Sequence, residues 1–192
     1  RYVAFYWGGL MIGRFIGAVS LSVGIGQRQK YGLMCLIPLI SFMVVGLLTN
    51  WFTAYCFGIF LGLNLLAFWI GGSKPARTLG VFSFILVGLI LTAIVTEGAL
   101  AMWCLIGAGL FTSILWSNIF TLAIAGLGNF TAQGSSLLIM AILGAALLPV
   151  VQGAIADTYG LQRSFIIPVL CYTYLAFYGF VGYKAGRGNE LT

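Results

Sequence analysis

Histidine is absent from this chain, and its acidic residues number three: Glu97, Asp157 and Glu190. Without imidazoles or paired carboxylates, general acid–base pairs, His/Asp-activated nucleophiles and transition-metal sites lack their parts, so no metal, no cofactor and no enzyme activity is expected. Charged residues make up only 6% of the chain, against about 25% in a soluble domain, which excludes a soluble globule. Cysteine is scarce too. Cys35, Cys56, Cys104 and Cys171 all sit in apolar runs without CxxC or Cys/His spacing, which excludes a disulfide framework and predicts small packing residues. The nine basic residues are scattered in ones and twos, so the net charge of +6 forms no nucleic-acid patch. No GxGxxG follows a strand pattern, which removes a phosphate cradle, and no polar–apolar alternation suggests a membrane β-barrel.

Apolar side chains are what remains, at 61% of the residues. Seven runs approach the roughly 20 residues that a membrane helix needs: 3–21, 31–49, 51–70, 79–96, 100–125, 136–156 and 165–183. The sequence therefore predicts an all-α, polytopic membrane bundle. Short polar stretches separate the runs, among them GQRQK, SKPAR, TEG, GNFTAQGSS and DTYGLQRS. An N-terminus outside the cell puts Arg28, Lys30, Lys74, Arg77, Lys184 and Arg187 on the cytoplasmic side and leaves Arg1 and Arg163 outside, as the positive-inside rule requires. Glu97 and Asp157 then fall in outer turns. The GNFTAQGSS loop lies inside on this topology, so its Asn129-Phe130-Thr131 glycosylation pattern is read as a chance match. No signal-peptide pattern precedes the first run, and the chain is expected to start within a longer protein.

The first run, YWGGLMIGRFIGA, places Gly9, Gly13 and Gly17 four residues apart. That spacing lines one helix face, where the missing side chains let a second helix approach closely. Gly58 and Gly62 predict a smaller seam in the third run. Arg14 lies about 16 Å along the first helix from Val3, in its cytoplasmic half. It either snorkels to the inner headgroups or meets a partner helix's carbonyls or acid; no acid in this chain is placed to pair with it.

Polar groups inside the spans are the functional candidates, because each is costly in hydrocarbon unless it faces protein or water. Thr112, Ser113, Trp116, Ser117 and Asn118 cluster in the fifth run. Sugar recognition needs amides and hydroxyls for the sugar hydroxyls and an aromatic face for the ring, and Trp116 with Asn118 supplies both kinds. The same residues also suit plain helix packing. Gln152 is the next candidate, or else a partner for a carbonyl that Pro149 leaves free. Asn64 fits a helix-packing amide, and Tyr6 and Trp7 fit packing or interface aromatics. Gly144, Pro149 and Gly153 make the sixth run thin and bendable, suited to gating or to close packing. Asp157 with Gly160 fits a turn, and Ser164 a helix cap.

The stretches YVAFYWGGLMIGRFIGA at 2–18, GLFTSILWSNIFTLAIAGLG at 109–128, QGSSLLIMAILGAALLPVVQGAIADTYGLQRSF at 133–165 and LCYTYLAFYGF at 170–180 resemble the fucose:proton symporter family, which includes bacterial glucose/galactose transporters, within the major facilitator superfamily. The resemblance implies two six-helix bundles working by alternating access. It makes residues 1–192 the C-terminal transmembrane bundle, with Arg1 at the outer edge of the eighth helix, the last four spans as helices nine to twelve, and 184–192 as a cytoplasmic tail. It implies an inner-membrane carrier whose partners are a hexose, a coupling cation such as a proton, the lipid bilayer and a missing N-terminal half that holds the coupling acid. Residues 31–71 depart from the pattern as an inserted helical hairpin. The rival expectation is a non-transporting membrane scaffold or assembly protein.

Overall fold

A computed structural model describes residues 2–22, 24, 26–72 and 74–184. Arg1, Arg187, Glu190 and the tail from residue 185 lie outside the described residues, so the expectations placed on them do too. The described residues form an all-helical bundle, and among them seven helical segments are long and apolar enough to cross a membrane. Helix is the form such sequences take in lipid because each backbone N–H and C=O then finds its partner within its own segment.

The first four spans are α1 (Tyr2–Leu21), α2 (Gln27–Leu48), α3 (Trp51–Gly71) and α4 (Pro75–Val95). Local chemistry sets their ends. Thr49 Oγ1 donates to Val45 O at 2.6 Å as α2 finishes, and Asn50 caps α3 by accepting from Thr53 N at 2.8 Å. Gly72, at φ +61°, stops α3 in a conformation that favours glycine, and Pro75 opens α4 where its missing N–H costs nothing. The expected loops GQRQK and SKPAR are partly helical: Arg28, Lys30 and Arg77 ride on first turns.

The fifth span breaks into α5 (Gly98–Thr112) and α6 (Leu115–Ile124). The sixth runs through a 3-10 turn at Gly128–Phe130, α7 (Thr131–Met140), a second 3-10 turn at Ala141–Leu143, and α8 (Gly144–Tyr159). Its 32 residues would measure about 48 Å as one straight helix, against a hydrocarbon core of about 30 Å. Gly160, at φ +93°, turns the chain into α9 (Leu161–Ser164), and α10 (Ile166–Phe180) is the last span.

The core forms where α1, α3, α4 and α5 meet. Phe68, Phe82 and Phe111 meet edge to face through it with ring centroids 4.8 and 5.6 Å apart, beside Ile16, Phe57 and Leu86. The 31–71 hairpin divides in two. Its second helix, α3, buries Phe57, Leu61, Asn64 and Phe68 in this core, whereas α2 buries only Met34, Pro38 and Gly46 and lies at the edge. An apolar cleft of about 460 Å³, walled by Phe5, Ile12, Val44 and Leu48, separates α2 from α1.

Several sequence expectations are corrected here. Gly58 does meet the Phe42 ring, but Gly62 faces open space, so the third span has half a seam. Cys104 is buried, yet Cys56 and Cys171 are half-buried and Cys35 is exposed on the edge helix, so packing does not account for all four thiols. Ser164 caps nothing: it ends α9 and donates from Oγ to Leu161 O at 2.7 Å. Asp157 sits within α8, and the turn belongs to Gly160 alone.

Candidate functional site in the fifth span

The glycine ladder of α1 lies against α5. A Cβ on Gly9 would stand 3.3 Å from Leu110 Cγ; on Gly13 it would clash with Ser113 Oγ and stand 2.7 Å from Leu110 O; on Gly17 it would clash with Ile114 Cγ2. The fifth span answers with glycines of its own. Gly107 receives the Phe60 ring of α3, and Gly109 receives Tyr6 of α1, whose carbonyl oxygen would be 2.6 Å from an added Cβ. Backbone therefore meets side chain and backbone at van der Waals distance on both faces of α5.

This contact coincides with the break in the span. The last carbonyls of a helix lose their intrahelical donors, and Leu110 O, in the last turn of α5, accepts from Ser113 Oγ at 2.6 Å and from Asn64 Nδ2 at 3.2 Å. One carbonyl thus joins α3 to α5 beside Gly13 of α1. Asn64 acts as the packing amide expected of it, although its Oδ1 is buried without a partner. Thr112 Oγ1 donates to Ala108 O at 2.8 Å, and Tyr172 of α10 packs against the core beside it.

The two principal candidates both lie on α6, beyond the break, but on different faces. Two residues along a helix is about 200° of rotation, so Trp116 and Asn118 occupy opposite sides of α6. Trp116 is 46% exposed and stacks obliquely on Phe120 at 6.4 Å, and Ser117 is exposed beside it. Asn118 is 1% exposed and Ser113 5%. Asn118 Nδ2 has no hydrogen-bond partner among the described residues, a condition that costs about 1–3 kcal/mol in a dry interior. Ser83, on the α4 helix that packs against α6, is likewise fully buried with its hydroxyl unpartnered.

The remaining candidates stand apart from this cluster. Gln152 is half-buried on α8, and its side chain makes no hydrogen bond among the described residues, including to any carbonyl that Pro149 frees. Gly144 and Gly153 have nothing within 4 Å of an added Cβ, so they make no close packing here. Arg14 points away from the glycine seam, exposed and without a hydrogen bond or ion pair among the described residues. Trp7 is 65% exposed. Sequence reasoning passed over Tyr172, Ser83 and Gln162. Only Gln162 carried a visible signal, an amide just after the Gly160 turn; it donates to Thr96 O at 2.7 Å and Ala93 O at 3.3 Å and so closes the end of α4.

The chain is similar to a glucose/galactose transporter of Brucella abortus, with 35% identity over 88% of this chain and 42% of the relative. It is also similar to a putative glucose/galactose transporter of Helicobacter pylori, at 30% identity over 96% of this chain and 34% of the relative. An L-fucose-proton symporter of Escherichia coli matches at 29% identity over 68% of this chain and 30% of the relative. All three are named as transporters or symporters and none as an enzyme. No family model and no solved structure matches the chain. The chain spans about two-fifths of the length of the first of these relatives. Its seven membrane-capable helices and these likenesses, which cover most of its residues, agree: the chain belongs to the fucose:proton symporter family of the major facilitator superfamily.

Proposed function

We propose that this chain forms the C-terminal bundle of an inner-membrane hexose carrier, with glucose, galactose or fucose as the substrate class, N-terminus outside and C-terminus cytoplasmic. The observation that carries this reading is the likeness to glucose/galactose transporters over 88% of the chain. A single alignment of that extent must include the middle of the sequence, and with it the whole fifth span. Asn118 is the residue most apt for a sugar. It is an amide held in the interior with its Nδ2 unspent, and a small polar shift in helix packing or an arriving hydroxyl would satisfy it. Trp116, on the exposed side of the same helix, suits a ring face presented where the rest of the carrier would stand.

Coupling to a proton is the finer part of the proposal. The acidic residues among those described, Glu97 and Asp157, lie at or near helix ends and offer no mid-span acid. The coupling acid is therefore assigned to the part of the protein that corresponds to the unmatched length of the relatives. Alternating access would then move this bundle against that part as a unit.

The test is sugar uptake by the intact protein in a strain lacking hexose carriers. Asn118→Ala is expected to reach the membrane at normal level and to lose about tenfold or more of its uptake, while Trp116→Ala is expected to weaken apparent sugar affinity. Normal uptake by Asn118→Ala would take that residue out of the site. Absence of any sugar-dependent uptake or sugar-dependent thermal stabilisation in the unmodified protein would favour the scaffold reading instead.

A further inference from the structure

Five of the seven basic residues among the described residues gather at one end of the bundle. Chain direction puts the end of α1, the start of α2, the end of α3 and the start of α4 together, and the contact of Gly179 with Gly80 and Ala76 brings the end of α10 there as well. Arg28, Lys30, Lys74, Arg77 and Lys184 therefore share this end, Arg14 lies within the α1 span, and Glu97, Asp157 and Arg163 lie at the other end. Between α1, α2 and α3 the same end holds a cavity of about 220 Å³. Gln27, Lys30, Tyr31 and Met34 recur at helical spacing along its α2 wall, opposite Ser20 of α1 and Phe68 and Trp69 of α3.

Its polar groups are spare. Lys30 is half-buried, and its Nζ spends one contact on Ser22 O at 3.3 Å, which leaves two of its three donors free. No carboxylate neutralises it among the described residues. Ser20 lines the cavity at 5% exposure, and its hydroxyl makes no hydrogen bond among the described residues. Below these groups the floor is apolar, made by Met34 and Phe68, each 2% exposed. At the mouth, Trp69 and Tyr31 are more than half or half exposed, as aromatic side chains are at the level of lipid headgroups. A cation and a hydroxyl above an apolar floor, at the basic end of a membrane bundle, match a ligand with a phosphate at one end and hydrocarbon at the other.

We propose that this cavity binds one anionic phospholipid, with the phosphate on Lys30 Nζ and Ser20 Oγ, the headgroup beside Gln27 and Tyr31, and the upper acyl carbons against Met34 and Phe68. The site rests on the membrane bundle alone and is independent of whether a sugar is carried.

The experiment is a thermal-stability titration of the intact protein in detergent, with dioleoyl phosphatidylglycerol as the probe and dioleoyl phosphatidylcholine as the neutral comparison. Phosphatidylglycerol is expected to raise the melting temperature saturably. Lys30→Gln is expected to weaken the midpoint about fivefold, the size one basic residue contributes at an anionic surface, while Arg28→Gln, on the same helix but outside the cavity, stays within twofold. Ser20→Ala, which deletes only the hydroxyl, is expected to weaken it about twofold and serves as the deciding variant if Lys30→Gln cannot be recovered folded. Equal losses for Lys30 and Arg28 would overturn the site in favour of a diffuse basic surface. A full shift from inorganic phosphate or glycerol 1-phosphate alone would overturn the lipid.

Discussion

The fifth and sixth spans are composed almost alike, with mean hydropathies of 1.8 and 2.2, yet two-thirds of one is buried (67%) and none of the other (0%). Hydropathy measures suitability for lipid and says nothing about which neighbour a helix meets. What separates the two is where their glycines fall. In the fifth span, Gly107 and Gly109 each receive an aromatic residue from another helix, and the ladder of α1 closes on Leu110 to Ile114. In the sixth, Gly144 and Gly153 face open space on a helix interrupted by a 3-10 turn and carrying Pro149. A glycine thus indicates close packing only when a side chain or backbone of another helix stands opposite it.

The sharpest way to break this contrast is to fill both kinds of glycine. Gly13→Leu would drive a side chain into Ser113 and the Leu110 carbonyl and is expected to cost about 3 kcal/mol, the upper end for overpacking; most folded protein should vanish from detergent size-exclusion profiles. Gly153→Leu, with nothing to strike, should elute normally. Equal loss from both would mean that the sixth span is as tightly held in the intact protein as the fifth.

A smaller effect comes from the polar junction. Asn64→Leu keeps the volume but removes the bond to Leu110 O, and a drop of about 0.6–2 kcal/mol in unfolding free energy is expected, the range for interhelical side-chain bonds in lipid. Gln152→Leu on the sixth span breaks no described bond and should change the melting temperature little. A large drop for Gln152→Leu would show a partner in the rest of the protein.

Gln162→Ala tests the far end of the sixth span. It removes two bonds to the end of α4, and about 1 kcal/mol is expected because the site is partly exposed. Faster proteolysis around residue 160 with an otherwise intact bundle is the signature to look for. The least effect should follow Gly153→Ala, a gain of about 0.5 kcal/mol from helix propensity, seen as a slight rise in melting temperature. A fall there would reveal a close neighbour on this face.

The spans were legible in the sequence because about 20 apolar residues in a row have few alternatives in lipid. The seam of α1 was legible as well, since spacing of four fixes one face regardless of the partner. The division of the hairpin was not: α2 and α3 are both apolar throughout, and only Asn64 marked the helix that enters the core. Trp116 and Asn118 stood out as polar-capable residues in an apolar run, but their proximity in sequence concealed their opposite faces. The break at Ser113 and Ile114 had no warning, because it depends on Asn64 and Ser113 converging on one carbonyl across two helices.

The amide of Gln162 closing the end of α4 has a consequence for the segment before it. The sixth span is fastened at both ends, at one through α6, which packs on α4, and at the other through α9, pinned by Gln162 to that same α4. A helix tethered at two points cannot diffuse away, and its effective concentration at any surface laid alongside the bundle is high. Most of the entropy of bringing it there is spent when the bundle folds, so even a weak contact along its bare face suffices to seat it.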